Sequence, residues 1–157
     1  MATLEHLVVE GKLKRYEVDL EPCDEPNRYL YAAPTLVSWF DGPLAVAHRD
    51  RGRNLTPREQ VEEGFYEFIK GDPMAYGKDC RKLDPLNRHV WELKTTDVRI
   101  FGWFPRIATF VMVGGAMRAD LTDFASYKPH IDRVVRFRSA LRLDEPKALE
   151  GGFRDVI

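Results

Sequence analysis

The stretch VWELKTTDVRIFGWFPRIATFVMV, residues 90–113, decides how this chain is read. It divides into three runs rich in β-branched and aromatic residues: Val90 to Lys94, Val98 to Phe104 and Ala108 to Val113. The links between them, Thr95-Thr96-Asp97 and Pro105-Arg106, are short, and short links join antiparallel neighbours, so the stretch predicts a three-stranded meander. The third run is apolar on both faces and reads as a central strand.

Working outward, a helix precedes the meander. Thr56 supplies an N-cap, Pro57 fits the first helical position and Glu59 completes a capping box. Val61, Phe65, Phe68 and Ile69 form one apolar stripe, and Gly71 with Pro73 ends the run. Before that helix the sequence reads as strands and loops. Tyr16, Val18 and Leu20 alternate with acids, and Thr35 to Phe40 and Leu44 to Ala47 are β-prone runs separated by an Asp41-Gly42-Pro43 turn. After the meander Gly114-Gly115 closes the third strand, Pro129 opens a last helix with Ile131, Val134, Val135 and Leu141 inward, and the tail beyond Pro146 reads as loosely held. The expectation is one α+β domain over residues 1–157: a strand-rich extension over 1–55, a core over 56–145 and a tail over 146–157.

A chain of 157 residues with 44% hydrophobic residues and nine Phe can bury a core without disulfides. Cys23 and Cys80 stand alone, the spacing of two free thiols in a reducing cytoplasm. The start of the chain lacks a basic segment followed by an apolar one, and no run is apolar enough for a membrane helix, so a cytoplasmic protein away from the membrane is expected. The four histidines show no metal-ligand spacing, and no nucleotide-binding glycine fingerprint or nucleophile elbow is present, so neither metal nor cofactor is expected.

The net charge of −1 hides a polarity. Residues 78–118 carry eight Lys and Arg against four acids, and residues 128–142 carry five against one, a net +4 in each window and −9 for the remainder. Lys82, Arg106, Arg133 and Arg136, from these windows, are candidate RNA contacts, because phosphates are recognised first through Lys and Arg. The same pattern is also what two halves neutralising each other would give.

Residues 82–142 resemble the RelE/ParE toxin superfamily, in particular its HigB-like and phage Gp49-like branch. The resemblance rests on Lys82-Leu83, then Val90-Trp91-Glu92-Leu93-Lys94, Val98-Arg99-Ile100 with the aromatics that follow, the apolar run Thr109 to Val113, and Arg118. It implies a small curved antiparallel sheet flanked by helices. It also implies metal-independent, ribosome-dependent cleavage of messenger RNA, restrained by an antitoxin partner. Cations near the scissile phosphate would stabilise the transition state. By position these are Arg99, Arg118 and Lys94, with Tyr127 and His130 the nearest residues to a missing general base. Where the family has paired lysines, this chain has Gly115-Ala116-Met117-Arg118. Each candidate has a structural reading beside the functional one: Arg99 pairing Glu92 across the meander, Arg118 covering the end of the sheet, Lys94 facing solvent. A non-catalytic interaction module of phage or mobile-element origin is the alternative function.

Overall fold

The computed structural model describes residues 2–83 and 88–157. The meander is present as β4 (Trp91–Lys94), β5 (Val98–Arg106) and β6 (Thr109–Met117), each antiparallel to the next. β1 (Lys14–Tyr16), β2 (Tyr29–Ala32) and β3 (Cys80–Lys82) extend it to six strands in the order β1-β2-β6-β5-β4-β3. β6 is central, as its two-sided apolarity requires, and eight of the nine residues of β5 are buried.

The fold is α+β, but its sheet is mixed, because β2 runs parallel to β6. A parallel partner needs a crossover, and here two helices supply it: α2 (Pro34–Asp41) and α3 (Pro57–Lys70). They cover one face of the sheet with Leu36 and Phe40 of α2 and Val61, Phe65, Phe68 and Ile69 of α3. On the other face lie α1 (Leu4–Val9) and α4 (Phe124–Ala140), which bury Leu4, Leu7, Ile131 and Val134 against Phe101, Trp103, Val111 and Val113. Full burial of each such aliphatic or Phe side chain contributes about 1.5–3 kcal/mol.

α3 forms as its capping box dictates. The Thr56 hydroxyl accepts from the Glu59 amide, the Glu59 carboxylate accepts from the Thr56 amide, and Gly71 ends the helix in the left-handed region. Three other expectations are corrected. Thr35 to Phe40 is helix rather than strand: Pro34 takes the first helical position, and Leu36 and Phe40, one turn apart, point into the core together. Leu44 to Ala47 is turn and irregular chain. Gly114-Gly115 does not end β6, which continues to Met117. A Cβ at Gly115 would lie 2.4 Å from the Trp39 ring, so that glycine admits the indole of α2 against the strand.

Pro129 does not open α4. The helix starts at Phe124 behind a reciprocal Asp123–Ser126 cap, and Pro129 lies inside it. The tail is held, not loose: the Leu149 amide bonds to the Phe104 carbonyl, the Ala108 amide to Val156, and Trp103 Nε1 to Lys147. It ends in α5 (Phe153–Val156), whose Val156 is fully buried.

Candidate functional site

Strand register decides which charges meet. β3 sets Arg81 opposite Glu92, and β4 sets Glu92 opposite Phe101 and Lys94 opposite Arg99. Because side chains alternate along a strand, Arg81, Glu92, Lys94, Arg99 and Phe101 share one face, the face that α4 covers in part. The register does not set Glu92 opposite Arg99. Glu92 turns to Arg81, whose Nη2 is 2.9 Å from Oε1. That contact is close but off hydrogen-bond geometry, and neither Glu92 oxygen has a hydrogen-bond partner among the described residues. Burial pushes the Glu92 carboxyl above its usual range, while Arg81, Arg99 and Lys94 pull the other way.

Arg81, Lys94 and Arg99 around this carboxylate, and Arg118 near Lys94, differ in how free they are. Arg99 is 7% exposed, and its Nη1 donates to the Thr95 and Val98 carbonyls at 2.6 and 2.9 Å, closing the β4–β5 turn. Lys94 donates to the Gly77 carbonyl at 2.6 Å, and burial, then the neighbouring Arg99, lowers its pKa. Arg118, directly after β6, is exposed, and its amide bonds to the Asp97 carbonyl. Arg81 Nη2 lies 3.4 Å from the Tyr127 hydroxyl. The structure thus brings Lys94, Arg99 and Arg118 to one end of the meander.

α4 adds the remaining groups. Tyr127 meets Phe101 edge-on at 5.9 Å, and the His130 ring stacks on Phe101 at 4.7 Å. Burial, then Arg133, lowers the His130 pKa, which favours the neutral imidazole. Arg133 and Arg136 are exposed on the helix. A cleft of about 420 Å³ opens between β3 and the start of α4, lined by Arg81, Lys82, Leu121, Asp123 and Tyr127 among others.

Two of the expected RNA contacts are engaged by other parts of the chain. Lys82 points to the opposite face, over the Trp91 ring at 5.9 Å, and donates to the Gly151 carbonyl. Arg106 is at the far end of β5, where Nη2 is 2.8 Å from a Glu5 carboxylate oxygen. That pairing holds the Glu5 carboxyl down at about 2. Of the aromatics, Trp91, Phe101, Trp103 and Phe104 are all core.

Sequence reasoning missed Arg81 and the clasp on the β4–β5 turn. There Asp97 accepts from Gln60 Nε2 at 2.7 Å and from Arg53 Nε at 3.2 Å. Burial alone would raise the Asp97 pKa, but these two donors hold it low. Gln60 was hidden in the helical pattern as a polar residue on a mostly apolar flank. Among the described residues no group of three or more His, Cys, Asp or Glu could hold a metal ion, and no helix is long and apolar enough to cross a membrane. Compared with known proteins, the chain matches no family model, no curated protein and no solved structure.

Proposed function

We propose that this chain is a RelE/HigB-like protein that binds RNA through the end of its meander. The observation that supports this reading is the gathering of Arg81, Lys94 and Arg99 around the buried Glu92 carboxylate, with Arg118 beside Lys94 and Asp97 at the end of the meander. Like charges this close repel one another, and a phosphate relieves the repulsion. Exposed Arg118, with Arg133 and Arg136 of α4, would take the phosphates. Arg99 and Lys94, tied to carbonyls, would act through their field.

Cleavage of messenger RNA is the reaction these groups suit. Arg118 and Arg81 would stabilise the charge that builds on the scissile phosphate, and neutral His130 would accept the ribose 2′-proton as that oxygen bonds to phosphorus, the 5′-oxygen leaving with a proton from solvent to give a 2′,3′-cyclic phosphate. The arrangement of elements agrees with the resemblance: α3, an antiparallel meander, then α4. A second reading, a non-catalytic module that binds a protein partner, is favoured by the commitment of Arg99 and Lys94 to backbone carbonyls.

The test is inducible expression of the intact chain beside an Arg118→Ala/Arg81→Ala double variant carrying Glu92→Gln to spare the core. Message is followed by primer extension, and purified protein is titrated with single-stranded RNA at several salt concentrations. Arrest with discrete cleavage sites, lost in the variant, is the expected result. Normal growth, intact message and soluble protein would sink the cleavage. An RNA affinity unchanged in the variant would sink the surface as well, since each lost phosphate contact lowers the salt slope by about one.

A further inference from the structure

The face of the sheet opposite the basic site carries a groove. Two adjoining hollows, of about 80 and 380 Å³, run along one flank of α3 and share Gly64, Glu67, Asp79, Lys94 and Thr95. The floor is apolar, built from Val61, Phe65, Phe68 and Leu93. Around the rim four acids, Glu63, Glu67, Asp72 and Asp79, outnumber two cations, Lys78 and Lys94. Lys94 lines both hollows, but its ammonium is already bonded to the Gly77 carbonyl.

Two observations set this groove apart from an ordinary surface crease. Its acids are crowded: burial, then Glu63, Asp72 and Asp79, push the Glu67 carboxyl up against the pull of Lys78, while Arg28 acts on Asp72. Among the described residues neither Glu63 nor Glu67 has an ion-pair partner. The second is Gly64. Glycine in a helix interior is less stable than alanine. Packing does not require it here, because a Cβ would meet only Thr95 Cγ2, at an ordinary 3.7 Å. What a side chain at position 64 would do is fill the groove.

We infer that this groove docks an amphipathic, lysine- or arginine-bearing segment of a partner protein. Its apolar side chains lie on the Phe65–Phe68 floor, and its cations meet Glu63, Glu67 and Asp79 at the rim. The charge of the rim selects a basic segment over an acidic one. The inference does not rest on the RNA reading: Lys94, held to the Gly77 carbonyl, is the one residue of the basic cluster that also lines the groove among the described residues.

The probe is a fluorescein-labelled amphipathic peptide of leucine and lysine, titrated with the full-length chain and followed by anisotropy. A sibling peptide with glutamate in place of lysine is the control. Binding of the lysine peptide is expected, with affinity reduced at least about tenfold by Gly64→Leu and by Glu63→Gln/Glu67→Gln. Glu21→Gln/Glu25→Gln, which neutralises acids elsewhere, should leave it unchanged. Gly64→Leu should melt no lower than the parent, so a loss of binding there reports a filled groove and not an unfolded helix. Absence of binding by the parent chain, equal binding of the glutamate peptide, or full affinity in Gly64→Leu would each overturn the inference.

Discussion

Strand β5 carries an arginine near each end, and the fold treats the two in opposite ways. Arg106 is neutralised where it stands: Glu5 takes its Nη2, the Thr109 hydroxyl takes its Nε, and the Tyr31 hydroxyl donates to the same glutamate. Arg99 sits opposite another cation, Lys94, with Arg81 and Arg118 also in reach of that lysine. Two buried carboxylates lie near them: Glu92, fully buried and raised in pKa, and Asp97, which is already committed to Arg53 and Gln60. A cation that has met its acid contributes to the fold, whereas an excess of cations around too few acids is a place for an anion. The charge polarity seen in the sequence is therefore not spread evenly along the basic windows. Its clearest concentration is on one face where β3, β4 and β5 meet, with Arg118 just beyond β6.

That contrast depends first on the spacing of the two ends, which Gly102 fixes. It lies at the irregularity in the β5–β6 ladder, where a Cβ would fall 1.9 Å from the Val111 carbonyl oxygen. Gly102→Ala should cost more than about 3 kcal/mol in a denaturant melt. A parent-like melt would mean that the strands can slip in register and that the ends are not rigidly placed.

Arg81→Ala should cost about 3 kcal/mol at neutral pH, because it strands the buried Glu92 carboxylate without its nearest cation. Adding Glu92→Gln should recover most of that loss, and a double variant no better than the single would break the pairing. The pH dependence has a definite sign. A carboxyl whose folded pKa is raised imposes no penalty below its unfolded value of 4.5, and its penalty grows as pH rises through the folded value. The Arg81→Ala deficit should therefore shrink as pH falls toward 4.5.

Arg106→Ala should cost under about 1 kcal/mol, because its pair with Glu5 is half exposed and screened by salt. Here the sign reverses. Glu5 is lowered from 4.5 to about 2, so its contribution is complete above pH 4.5 and is lost as pH falls toward 2. Parent and variant melts should converge across that window. A large neutral-pH effect of Arg106→Ala would erase the distinction between the two ends.

What could be read in advance was what short segments decide alone. α3 carries its own start and stop signals, and the meander carries its alternation and its tight links, so both are visible without a partner. α2 was misread because Thr35, Val37, Trp39 and Phe40 favour strands, while the choice is made by Leu36 and Phe40 reaching a core assembled from distant residues. The end of β6 was misread because Gly114-Gly115 resembles punctuation until Trp39 arrives above it. Of the site, Arg99, Lys94 and Arg118 were legible as a group from the family resemblance. Arg81 was not, because its role depends on the β3–β4 register, and a shift of one residue would send it to the other face.

The parallel pairing of β2 with β6 also bears on how the chain is made. Tyr29 to Ala32 leave the ribosome long before Thr109 to Met112, the strand they must join. During that interval the edge of β2 that β6 will occupy has open hydrogen-bonding groups. Contacts between residues so far apart in sequence form late and slowly. The nascent chain thus passes through a stage in which its earliest strands are adhesive. A product halted before Thr109 would be a seed for aggregation rather than a small folded fragment.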